Sequence, residues 1–215
     1  MLQKRFEEYF AKVVLESCFP DKFVDLQVSD RPDLQHGTSI GIEVTNCMPK
    51  GVAEAFNLWH RVAKQREQTP PRIIERLEQL NEVRLDSEGL VWYQGTYTDN
   101  VDNSPIKYFL NAVDRKVERL NSGNADYAEM VSYELFVNSF ISIPHYQISA
   151  VIKRLQDLND KPKKFDCIYL LTNEQKLLAF DMLNGFVHQN YLYKWLDRIA
   201  DKAKELYLGA KNDET

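Results

Sequence analysis

Two acids, Asp33 and Glu43, stand ten positions apart on either side of a turn signal, His36-Gly37, and are the residues of this chain best placed to do chemistry together. Glu43 belongs to Thr38-Ser39-Ile40-Gly41-Ile42-Glu43-Val44-Thr45, where Ile40, Ile42 and Val44 alternate with Gly41, Glu43 and Thr45. In a strand, that alternation sends the first set to one face of a sheet and the second to the other, so Glu43 and Thr45 share a face. A hairpin turning near His36-Gly37 brings Asp33 towards the same face. Paired carboxylates at a sheet edge suit Mg²⁺ or Mn²⁺, hard ions that take oxygen ligands and keep water for a substrate phosphate or a nucleophile. The reaction that such a pair fits is hydrolysis of a phosphodiester.

Each acid also has a plainer reading. Asp33 follows Pro32, and an aspartate after proline often accepts backbone hydrogen bonds in a turn. Glu43 lies between Ile42 and Val44, so a strand flanked by helices would bury it in part and oblige it to find a partner. An α/β protein whose acids merely satisfy buried donors is therefore a reading to be kept.

The elements that must position the pair follow from periodicity. Leu2, Phe6, Tyr9, Phe10, Val13, Val14 and Cys18 recur at helical steps and predict an amphipathic helix over 2–18, stopped by Pro20-Asp21. Residues 23–28 and 38–45 read as two strands of a hairpin. A second helix is expected over 52–65, and a third opens at Pro70-Pro71 and continues its stripe to Val83. Further on, the pattern predicts strands at 90–93 and 133–143, helices over 106–120 and 146–158, and a buried strand at 165–171. A strand at 177–182 pairs with that one across 172–175, and a last helix runs over 191–208. No internal repeat or domain linker interrupts residues 1–215, which read as one α/β domain with a central mixed sheet flanked by helices.

Pro32-Asp33 followed by Glu43-Val44-Thr45, after one helix and before another, resembles the PD-(D/E)XK nuclease superfamily, in which Pro-Asp precedes an acid-x-lysine tripeptide on the next strand. The resemblance covers about residues 1–66. It implies a restriction-endonuclease-like core and a Mg²⁺- or Mn²⁺-dependent nuclease that cleaves nucleic acid, with Asp33 and Glu43 as metal ligands and a backbone carbonyl near Val44 completing the shell. It also implies an acid from the first helix. Glu7, beside Phe10, Ala11 and Val14, is preferred there over Glu8, which shares a charged stripe with Arg5, Lys12 and Glu16. The chain departs from the pattern at Thr45, which stands where the family has lysine and has no ammonium to orient water or stabilise developing charge. Lys50 and Lys64 are the candidate substitutes. Without one, the alternative is a catalytically inactive nuclease-fold module that binds protein or nucleic acid.

The totals narrow the field. The 215 residues are 44% hydrophobic and 27% charged, ordinary globular usage that argues against disorder or a fibrous repeat. A net charge of −5 argues against a dedicated polycationic DNA-binding module, although phosphate contact depends on the local patch. No apolar run is long enough to cross a bilayer and the first residues lack a signal-peptide core, so a cytoplasmic protein without a membrane partner is expected. Cys18, Cys47 and Cys167 are too scattered for a disulfide framework or a cysteine zinc site. His36, His60, His145 and His188 lack zinc-binding spacing. Oligomeric state, and DNA against RNA, are left open.

Overall fold

Alternating apolar residues in the strands build two cores, one on each face of a single sheet. The computed structural model describes residues 5–48, 71–79, 83–85, 91–93, 100–123, 127–192 and 195–213, with positions 51, 54 and 58. In chain order the elements are α1 (Phe6–Cys18), β1 (Gln27–Val28), β2 (Leu34–His36), β3 (Ile40–Asn46), α2 (Pro71–Gln79), β4 (Val83–Leu85) and β5 (Val91–Tyr93). There follow α3 (Ile106–Asn121), β6 (Ser132–Asn138), α4 (Ile148–Leu158), β7 (Cys167–Leu171), β8 (Lys176–Asp181), β9 (Phe186–Tyr191) and α5 (Leu196–Asp213). Seven strands form one mixed sheet in the order β1-β2-β3-β6-β7-β8-β9, and β4 pairs with β5 apart from it. The three central strands β3, β6 and β7 run parallel, and the outer pairings are antiparallel.

Neighbouring residues of one strand serve opposite cores. Ile42, Phe136, Tyr169 and Leu177 pack with Val13, Val14 and Leu15 of α1 and Ile199 and Ala203 of α5. Leu135, Val137, Ile168, Leu170 and Phe180 pack on the other face with Phe109, Val113 and Val117 of α3 and Val151 and Leu155 of α4. Burying each of these large side chains contributes about 1.5–3 kcal/mol, so both helix layers are held by ordinary hydrophobic packing. The strand carrying Glu43, rich in β-branched residues, is interior, between β2 and β6.

Several boundaries differ from expectation, for local reasons. The strand anticipated over 23–28 shrinks to Gln27–Val28, because the chain bends before it with Asp25 at φ 59° while Phe23 and Leu26 turn into the α1 core. Asp33 immediately precedes a separate strand, β2, so the hairpin becomes a three-stranded meander. The helix opening at Pro71 ends at Gln79, and Val83 instead joins β4, opposite Tyr93. β6 stops at Asn138 rather than running to 143, and the last helix starts at Leu196 because residues up to Tyr191 form β9. Of the helix expected over 52–65, only positions 54 and 58 are described, and both are helical; the rest lies outside the described residues. Among the described residues no helix is long and apolar enough to cross a membrane.

Candidate active site

Gly41 lets the site assemble. A Cβ at this position would lie 2.5 Å from Pro32 Cγ and 2.9 Å from Met130 Cγ, so only glycine lets the proline ring rest on β3. The turn that carries Pro32 is tied at both sides: the Ser29 N–H donates to the Asp33 carbonyl at 2.9 Å, and the Ala128 N–H to the Arg31 carbonyl at 3.1 Å. Arg31 holds φ 67°, a left-handed conformation that a non-glycine residue keeps only where its surroundings enforce it. Asp33 is thereby set beside β3 where the β2 ladder ends at the Leu34–Ile42 pair. Its Oδ2 accepts the Val44 N–H at 2.7 Å, while its Oδ1 accepts no hydrogen bond from a described residue.

Glu43 is 2% exposed and faces α3. Its Oε2 accepts a hydrogen bond from Lys116 Nζ at 2.6 Å, across 73 residues of sequence. Lys116 flanks the buried stripe of α3, next to Val113, Val117 and Leu120, so its stem is covered while its ammonium reaches the acid. Burial raises the Asp33 pKa, and the nearby Glu43 charge raises it further; the Val44 N–H, Lys116 and Arg119 oppose that rise. A carboxylate whose proton affinity is raised by the charge of another is close to it, as two acids facing one cleft must be. Tyr127 stands close by, its phenol pushed up by burial and by the Glu43 charge.

The pair sits in a cleft of about 470 Å³. Five acids, Glu7, Glu8, Asp30, Asp33 and Glu43, line it together with four cations, Arg5, Arg31, Lys116 and Arg119, leaving an acid in excess. Glu7 is exposed at the rim. Glu8, one residue on, is half-buried; its carboxyl is raised by burial and then by Asp33, and its Oε2 accepts the Arg5 N–H at 3.1 Å. Thr45 lines the cleft on the Glu43 face, as its alternation requires. His36 pairs with Ile40 across the hairpin and is not among the lining residues. Lys50 and Lys64 lie outside the described residues.

Among the described residues, no three His, Cys, Asp or Glu side chains form a cage that could hold a metal unaided. The donor chemistry nonetheless fits Mg²⁺ or Mn²⁺. Two hard carboxylates with an unspent Asp33 oxygen suit ions bound by one or two carboxylates plus several waters. Lys116 and Arg119 were not marked by sequence because nothing local ties a helix over 106–120 to residues 33 and 43. The signal was only that both fall at the edge of that helix's apolar stripe. In comparisons with family models, curated proteins and solved structures, nothing matches this chain.

Proposed function

We propose that the chain is a divalent-metal-dependent, nuclease-like hydrolase of phosphodiester bonds in nucleic acid, with Asp33 and Glu43 as metal ligands and Lys116 supplying the ammonium that Thr45 lacks. The observation that carries this reading is the 2.6 Å contact between Lys116 Nζ and Glu43 Oε2, a cation delivered by a separate element to the buried member of the acid pair. An acid strand interior to a mixed sheet flanked by helices supports it too, being the architecture implied by the PD-(D/E)XK resemblance.

When bound between Asp33 and Glu43, the metal would polarise a phosphoryl oxygen and acidify water. Asp33 is fixed for ligation by the Val44 N–H, which leaves its Oδ1 directed elsewhere. Lys116 presents a compact ammonium with three donors on a flexible stem, able to exchange Glu43 for the attacking water or a phosphate oxygen. In a partly buried cleft that charge acts at low dielectric and stabilises the developing oxyanion more than it would in water. Glu8, whose carboxyl senses Asp33, joins Glu7 as a candidate for the acid from the first helix.

Thr45 in place of the lysine and a net charge of −5 favour a second reading, a nuclease-fold module that binds nucleic acid or protein without cutting it. Titration calorimetry with Mg²⁺ and Mn²⁺ tests the metal centre in either case. Glu43→Gln is expected to bind on the order of tenfold more weakly than the wild type, because it loses a ligand charge. Equal affinity in the two proteins would remove Glu43 from the site.

A further inference from the structure

We propose that Arg119 is the phosphate-binding residue of this cleft, its guanidinium forking onto the two non-bridging oxygens of the phosphodiester; this rests on the phosphodiesterase reading of the Asp33/Glu43 site. Arg119 lies three residues beyond Lys116 on α3, so the two side chains leave the same face of the helix. Both line the cleft. The guanidinium makes no hydrogen bond or ion pair with another described residue, unlike Arg115, whose Nε donates to the Asn111 carbonyl at 3.1 Å, and Arg154, which pairs with Asp102. It shares that lining with Asp33 and Glu43.

Unspent donors beside an acid pair call for an anionic ligand once the acids are neutralised. With five acids against four cations the cleft lining repels anions; one divalent cation reverses that balance and leaves Arg119, like Arg5 at the other wall, an exposed donor. A phosphodiester offers two equivalent oxygens in the spacing of the guanidinium fork, a match that lysine's point charge does not provide. Lys116 and Arg119 thus divide the work: the first reaches the acid at the reacting centre, and the second fixes the phosphate against it.

The test measures binding and cleavage separately. Fluorescence anisotropy follows a fluorescein-labelled oligonucleotide, single-stranded and duplex, against wild type, Arg119→Ala, Arg119→Lys and the remote control Arg198→Ala, in Mg²⁺ across a range of salt, with binding read before cleavage develops and EDTA as the metal-free control. Arg119→Ala is expected to bind about tenfold more weakly and to lower the slope of log Kd against log salt by roughly 0.7–0.9, the signature of one lost phosphate contact. Arg119→Lys should restore the slope while leaving the affinity short of wild type, and Arg198→Ala should change neither. Cleavage in Mg²⁺ should fall on the order of a hundredfold in Arg119→Ala. If the wild type cuts and Arg119→Ala binds and cuts equally well, the Arg119 assignment is overturned while the phosphodiesterase reading stands. An uncut oligonucleotide that still binds with an Arg119-dependent slope would support the phosphate contact and defeat the hydrolase. Neither binding nor cleavage by the wild type would overturn both.

Discussion

Asp33 holds a charge that the apo fold disfavours. Burial and the neighbouring Glu43 raise its pKa, so the folded protein takes up a proton on Asp33 more readily than the unfolded chain does. The sign of the linkage follows: stability from this group is fully present below its unfolded value, near pH 4, and is lost as pH rises through the raised folded value. Asp33→Asn removes the ionisation and can still accept the Val44 N–H through its amide oxygen. Without metal, that variant should therefore melt at a higher temperature than the wild type at pH 7, with the gap closing towards pH 3. Thermal unfolding followed by circular dichroism across this range checks it. A gap independent of pH would mean that the cleft does not strain the Asp33 charge.

Between elements, the geometry depends on the contact of the β1–β2 turn with β3. Gly41→Ala would push its new methyl against the Pro32 ring, which is backbone-bound and cannot swing aside. A cost of about 1–3 kcal/mol in stability is expected, with Asp33 moved off the Val44 N–H and metal affinity reduced in parallel. Chemical denaturation and calorimetry on the same protein measure both; a destabilised variant with unchanged metal binding would separate Asp33 from the turn. The Gly41-Ile42-Glu43-Val44 alternation was legible in the sequence because period-two patterning states which face each residue takes. Lys116 was not, since its pairing with Glu43 spans 73 residues and depends on which sheet face α3 covers. β9 was missed because an edge strand such as Phe186–Tyr191, exposed along much of its length, needs no apolar alternation. Val83 was read as the end of a helix because its stripe continued in phase, whereas pairing with Tyr93 placed it in a strand.

Across the whole molecule, a net charge of −5 offers a polyanion no long-range attraction, so the proposed activity depends on local cations such as the four that line the cleft. The central claim is that Asp33, Glu43 and Lys116 form one metal-dependent centre. Lys116→Gln is the informative variant, because its amide can still donate to the buried Glu43 and so avoids much of the penalty of roughly 3–5 kcal/mol for stranding a buried charge. The measurement is cleavage of single- and double-stranded DNA and RNA by purified protein in Mg²⁺, in Mn²⁺ and in EDTA. The account predicts metal-dependent products from the wild type, lost in EDTA, in Asp33→Asn and in Lys116→Gln while each variant keeps its folded spectrum. A panel left uncut in both metals, or Lys116→Gln cutting at the wild-type rate, would contradict it.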